Sequence, residues 1–373
     1  MRDAKHKPKG SVAGRITLSG FDLPLPRLAP GVDLSPQDIG ELRLLLRGES
    51  VVDWYRIDCR DVPDAHRLLA LNGFDPYDPR DDERLGRIRD DAAAYIRDTL
   101  GLRLDEAVTG ADATTLLLLA SGRGDAADRP RLQRGACTLL KVMHILHHLD
   151  ARELATSLSL PNSTLFSQVE ARVLQMYDVL RAAGVHVSEF AWSRKTRASL
   201  ITKLLAKRQT NAARVFDRIR FRIVVETGDD LVSALRVMLH RCFPFNYVVP
   251  GETVNSLVPP DLLKRFPQAA EAPEPAGDDL GPALVANEFS SADYRVLNFV
   301  VDLPIRVDRV LGEDRLPPDP RFGRVVFVLS EFQILDRATA DANAQGDASH
   351  DAYKRRQIQR VRERLLREPK HGT

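Results

Sequence analysis

The chain has 373 residues, 43% of them hydrophobic and 28% charged, with a formal net charge of +2. That length suits two domains of roughly 150–200 residues each, and that composition is globular rather than disordered. Balanced charge gives no bulk argument for nucleic acid, so each local basic cluster has to be weighed separately.

Residues 1–34 are polar and proline-bearing and read as a flexible lead-in. The basic N-terminus has no apolar run after it, so it is not a secretory signal. Ser35-Pro36-Gln37-Asp38 reads as a helix start: serine caps, proline fits the first turn, and the acid suits the positive end of the helix dipole. The helix runs through ELRLLLRG to Gly48. Helical patterns follow over 64–73, 83–100, 131–149 and 162–183, with Leu139, Val142, Met143 and Leu146 on one apolar face. Strand signal is scarce before residue 190, so 35–189 reads as an α-helical domain of unassigned role. No stretch approaches ~18 apolar residues, so no membrane span is expected.

The pattern changes after Phe190. Residues 194–208 form a basic amphipathic helix pattern, and 216–225 (FDRIRFRIVV) alternate as a strand. Residues 229–241 are helical, and 245–249 read as a short strand. The segment from about 259 to 288 is rich in Pro, Ala, Asp and Glu and reads as a flexible surface insertion. Strands are expected over 294–303 and 324–334, joined as a hairpin through DRLPPDP, and 351–367 closes the chain as a charged helix. The order is α+β: a helical domain, then a mixed sheet flanked by helices over 190–373.

Cys59, Cys137 and Cys242 are far apart and form no CxxC pair. They read as free, mostly buried thiols of a reducing cytoplasm, not a disulfide framework or zinc ribbon. His144 and His148 share a helix face at zinc-ligand spacing, with His147 between them. Without HExxH or an evident third ligand, core or interface histidines are the better reading.

Two acidic positions stand out. Asp217 opens one predicted strand and Glu331 sits near the end of another. If those strands are neighbours, two carboxylates converge at a sheet edge, where Mg2+ is held together with substrate phosphates. Phosphoryl transfer is positioning plus charge neutralisation, which suits the Lys and Arg nearby. The bland alternative is a pair of ordinary strand-end charges. Positions 199, 203 and 207 lie on one helical face, so Lys203 and Lys207 can point at one polyphosphate.

Four segments, in order, resemble the RelA/SpoT family of guanosine pyrophosphate synthetases over about residues 190–360. Arg194, Ser199 and Lys203 resemble the family's basic helix RxKxxxSxxxK, whose central basic position falls on Thr196. Asp217 to Val224 is similar to the DxxGxRIVV strand; the motif's glycine falls at Arg220 or Phe221. Asp293 to Val301 is similar to GYRSLHLVV, with Val296 for serine and Asn298 for histidine. Ser330 to Asp336 is similar to VEIQIRT, with Leu335 for arginine. His350, Tyr353 and Lys354 resemble the HxxYK that opens the closing helix.

The resemblance implies a nucleotidyltransferase-like fold. It also implies Mg2+-dependent transfer of pyrophosphate from ATP to a 3′-hydroxyl on a guanine nucleotide, or possibly on RNA. Arg194, Lys203, Lys207 and Arg222 would hold phosphates, and Asp217 and Glu331 the metal, with Glu331 also activating the acceptor hydroxyl. Tyr294 would stack on the acceptor base, and Gln333, His350 and Lys354 would complete the nucleotide site. Tyr294 at a strand start also has a purely structural reading. The rival function is a degenerate module that binds nucleotide or RNA without turnover; Val296, Asn298 and Leu335 favour it.

Overall fold

The computed structural model describes residues 34–48, 57–123, 127–158, 160–207, 218–243, 245–271, 293–319, 321–345 and 350–366, and the backbone of 13–17. In chain order the described elements are β1 (Ala13–Thr17), α1 (Pro36–Arg47), α2 (Val62–Leu71), α3 (Pro79–Asp98), α4 (Glu106–Thr109), α5 (Ala113–Ala120), α6 (Arg129–Ser157) and α7 (Asn162–Ala182). There follow β2 (Val187–Arg194), α8 (Arg197–Lys207), β3 (Ile219–Val225), α9 (Gly228–Arg241), β4 (Val254–Asn255), β5 (Leu297–Arg306), α10 (Asp308–Leu311), β6 (Val325–Asp336), α11 (Arg337–Asn343) and α12 (His350–Leu365). The fold is mixed α and β, with helices alone among the described residues between Ser35 and Ala183 and, apart from β1, the strands of the one sheet after it.

The sheet order is β1-β2-β3-β6-β5-β4. β3 and β6 run parallel at its centre, and the outer pairs are antiparallel. The two strands expected to flank the site are therefore neighbours, but in mid-sheet and not at an edge. Glu331 correspondingly lies in the middle of β6.

Alternation explains why these strands form here. On β3, Ile219, Phe221, Ile223 and Val225 are buried in the main core while Arg220 and Arg222 alternate with them. Register places Phe221 opposite Phe332, and Phe332 opposite Phe299. The rings stack with centroids 5.4 Å and 5.7 Å apart. A period of two puts Phe221, Phe332 and Phe299 on one face and Arg220, Arg222 and Glu331 on the other.

Helix ends follow the residue chemistry. Ser35 Oγ accepts from the Asp38 N–H at 3.1 Å, and Asp38 accepts back from the Ser35 N–H at 2.9 Å, closing a capping box. Gly48 ends α1 with φ of 69°, a left-handed turn that only glycine adopts without cost.

Four expectations need correction. Residues 245–249 hold a 3-10 turn, Phe245–Tyr247, and a single bridge from Val248 to Val301. β1 falls inside the expected lead-in and pairs with β2, and β2 itself begins earlier than the pattern change at Phe190. Residues 260–271, assigned to the flexible insertion, form two 3-10 turns against α1. There Leu263 is buried and Arg43 donates to the Ala269 carbonyl at 3.0 Å. The rest of that segment, from 272 on, lies outside the described residues.

Residues of the helical part and of the sheet share one apolar cluster running from Leu34 to Ile334. α6 packs on β6, with the His148 ring stacked on Phe327 at 4.0 Å and 11°. His144 and His147 are buried, and among the described residues no group of three His, Cys, Asp or Glu is placed to hold a metal. Burial holds the His144 pKa down at about 3 and that of His148 at about 4, so both rings are neutral core members. All three cysteines are free and buried. Among the described residues no helix is long and apolar enough to cross a membrane.

Candidate nucleotide site

The site is the sheet face opposite the phenylalanine row. Register brings Arg220 beside Glu331, Arg222 beside Gln333, and Gln333 beside Asn298. Arg220 Nε donates to Glu331 Oε2 at 2.7 Å and its Nη2 donates to Oε1 at 3.3 Å. The Glu331 side chain is only 5% exposed, so its charge depends on that fork. Arg222 faces Glu189 on β2 at 3.5 Å, and its Nε–H is buried with no hydrogen-bond partner. Asn298 Oδ1 is likewise buried and unpartnered. Buried polar atoms without partners are uncommon in folded proteins.

Tyr294 closes one end of the face. Burial raises its pKa, the Arg220 and Arg222 charges oppose that, and Glu331 and Tyr353 add to it. The phenol is therefore within electrostatic reach of both arginines, of Glu331, and of Tyr353 on α12. Its backbone segment is pinned on both sides. Ser256 Oγ accepts from the Val296 N–H at 3.0 Å. From α11, Asn343 accepts from the Arg295 N–H at 3.1 Å and donates to the Arg295 carbonyl at 2.6 Å. Asn343 was missed in the sequence, where nothing separates it from a surface asparagine. The nearest signal is Asp336, whose carboxylate caps α11 by accepting from the Thr339 N–H at 2.7 Å.

The departures from the family motifs have partners here. Val296 and Leu335 pack with Val224 and Ala340 in a small apolar cluster, against which Tyr294 and Leu257 lean. Arg220, one of the two positions at which the motif's glycine falls, is the residue that holds Glu331.

Other expected site residues are dispersed. Arg194 is gripped by Glu170 of α7, both contacts at 2.7 Å, and also donates to Ser167 at 3.1 Å. Alternation along β2 sets it on the face opposite Arg222. Lys203 is half-buried on α8, which packs against α12, and Lys354 is exposed on α12. Asp217 and the side chains of Lys207 and His350 lie outside the described residues.

No protein-family description and no curated protein matches this chain. Solved structures are similar to it in fold. The small alarmone synthetase 1 from Bacillus subtilis shares 14% identity at a TM-score of 0.32, over 54% of this chain and 87% of that one. The same protein bound to its product pppGpp gives 16% identity and a TM-score of 0.32, over 54% and 88%. The small alarmone synthetase 2 from Bacillus subtilis gives 13% and 0.29, over 55% and 98%.

Mg2+ is commonly held by one or two carboxylates together with substrate phosphates. The described face supplies Glu331 for that role, already neutralised by Arg220. The residues fit the ion only in a state where Arg220 has turned to another anion.

Proposed function

We propose that this sheet face binds a nucleotide and supports transfer of pyrophosphate from ATP to a 3′-hydroxyl, on a guanine nucleotide or on RNA. One observation carries the reading. Arg220, Arg222, Tyr294, Glu331 and Gln333 come from three separate segments and converge on one face, where the buried Arg222 Nε–H, 3.5 Å from Glu189, makes no hydrogen bond. Two guanidiniums suit phosphate, since each offers a planar fork of donors. Tyr294 offers a ring to a base, and Glu331 a carboxylate to an acceptor hydroxyl.

Arg220 then acts as a placeholder. In the empty site it neutralises Glu331; when a polyphosphate arrives, its guanidinium moves to the phosphate and leaves the carboxylate able to accept a proton. Glu331 is a general base only in that second state. Mg2+, with Asp217 and Glu331 as its proposed ligands, would neutralise the charge of the transferred group.

The second reading is a binding module without turnover. The Arg220–Glu331 fork and the Val296–Leu335 contact favour it, because both convert polar positions into contacts within the protein. The deciding experiment is a thin-layer assay with labelled ATP and GDP, GTP or tRNA, run in Mg2+ beside calorimetry of ATP binding. Transfer lost in Glu331→Gln supports the enzyme. ATP binding that needs Arg222, with no transfer to any acceptor, supports the module. No ATP binding at all removes both.

A further inference from the structure

A second cleft, of about 460 Å³, lies away from the sheet-face site, between α2, the loop after it, α7 and the end of β5. That volume is in the range of small-molecule sites. Arg306 at this cleft and Asn298 at the first site are eight residues apart on β5, ~27 Å along an extended strand. The two sites therefore do not share residues.

The cleft is lined by four arginines, Arg67, Arg172, Arg306 and Arg309, and by one carboxylate, Asp75. Two of the four are neutralised: Arg306 by Asp81 and Asp308, and Arg67 by Asp64. Asp75 turns one oxygen to the Tyr77 N–H at 3.0 Å. The other two arginines are not neutralised. Arg172 donates to the carbonyls of Pro304 and Leu71 and makes no ion pair among the described residues. Burial holds its pKa below the ordinary arginine value, as a poorly solvated cation requires. Arg309 is exposed and also without an ion pair among the described residues. A guanidinium has five N–H donors, so two carbonyl acceptors leave Arg172 with donors to spare.

The cleft also has apolar lining. Ala70, Phe74 and Pro76 line it. Tyr77 stands 80% exposed at its rim. The ring is held in place edge-on to His66, with centroids 5.2 Å apart at 88° and His66 Nδ1 3.2 Å from the hydroxyl. An exposed aromatic face beside arginines without ion pairs matches a ligand that is flat at one end and anionic at the other.

We propose that this cleft binds a nucleoside monophosphate, with the phosphate on Arg172 and Arg309 and the base against Tyr77. The inference does not depend on the proposed pyrophosphate transfer. The test is calorimetry on the full chain with AMP, GMP, CMP and UMP, and with adenosine and inorganic phosphate as partial ligands. At least one nucleotide is expected to bind at least tenfold more tightly than either partial ligand. Arg309→Ala and Tyr77→Ala should each weaken it about five- to tenfold, and by the same factor in an Arg222→Ala background where the sheet face is disabled. Arg172 bridges three elements, so its replacement is not relied on. Nucleotide binding that is lost in Arg222→Ala and intact in both cleft variants would assign it to the sheet face and overturn the inference. Binding by none of the four nucleotides, or equal binding of phosphate and nucleotide, would overturn it as well.

Discussion

Arg220 and Glu331 stand side by side in the parallel register of β3 and β6, and two guanidinium nitrogens reach the one carboxylate, at 2.7 Å and 3.3 Å. The pair is unequal in burial: the arginine side chain is 27% exposed and the glutamate 5%. Removing either partner strands the other, and stranding the more buried one costs more. Arg220→Ala should therefore destabilise by about 2–4 kcal/mol and Glu331→Gln by about 1–3 kcal/mol, both discounted from fully buried pairs for the open side of the arginine. The double variant should recover part of the loss, a coupling of about 1–3 kcal/mol. Urea unfolding of the four proteins measures it; strictly additive effects would show that the fork contributes nothing. A carboxylate held at a cost for a metal alone would behave oppositely, and Glu331→Gln would then raise stability.

Directly behind that pair, Phe332 is fully buried between Phe221, Phe299 and Phe243, with the last centroid 5.5 Å away. Phe332→Ala should cost about 3–5 kcal/mol. It should also weaken nucleotide binding more than Phe327→Ala does, because Phe332 sets the register of the strand carrying Glu331 and Gln333. Denaturant midpoints and ATP titration of both variants check this.

α1 and α9 are joined by a charge cluster. Asp38 meets His240 Nε2, and Arg236 Nε lies 3.1 Å from its second oxygen. Burial would lower the His240 pKa, but the Asp38 hydrogen bond and the Glu41 and Asp38 charges outweigh it and the net shift is upward. Burial likewise works to raise Asp38, yet its bonds to His240 and Ser35 and the nearby cations carry it below 3.8. The raised histidine contributes stability that is complete below about 6.5 and lost as pH rises through its folded pKa. The depressed aspartate contributes above about 3.9 and is lost as pH falls through its folded pKa. His240→Asn should therefore lower the Tm more at pH 5.5 than at pH 9. The expected effect is below about 1 kcal/mol, since the His240 side chain is 43% exposed. An equal loss at both pH values would refute the charged pair.

The alternation Arg220-Phe221-Arg222 and Glu331-Phe332-Gln333 was legible in the sequence, because a period of two needs no tertiary information. The order of helices and central strands was legible for the same reason. Which arginine would take Glu331 was not. That depends on the β3–β6 register, set by long-range pairing between residues more than a hundred positions apart. Leu263 and Phe266 were hidden by the prolines around them, whose composition reads as a loop although Leu263 is in the main core and Phe266 packs against it. Asn343 was invisible because a side chain that clamps another segment's backbone leaves no periodic trace.

The junction of α6 with the sheet carries an opposite pair of shifts. Burial raises Asp302 to about 7 and lowers His148 to about 4, and His148 Nδ1 lies 3.6 Å from Asp302 Oδ2. Near pH 5.5 both are neutral in the fold. A raised carboxylate contributes stability that is complete below its unfolded value near 3.9 and lost as pH rises through about 7. A depressed histidine contributes above about 6.5 and is lost as pH falls through about 4, and His144 adds to that acid loss. Asp302→Asn should thus raise stability at pH 8, where the wild type carries a poorly solvated carboxylate, and change little below pH 4. The full shift would amount to ~4 kcal/mol, but the Asp302 side chain is 20% exposed and solvent screens its charge, so a gain of about 1–2 kcal/mol is expected. Thermal melting of the wild type and Asp302→Asn at pH 4 and pH 8 measures it. A gain from Asp302→Asn that does not depend on pH would show that shape at the junction, not charge, is responsible.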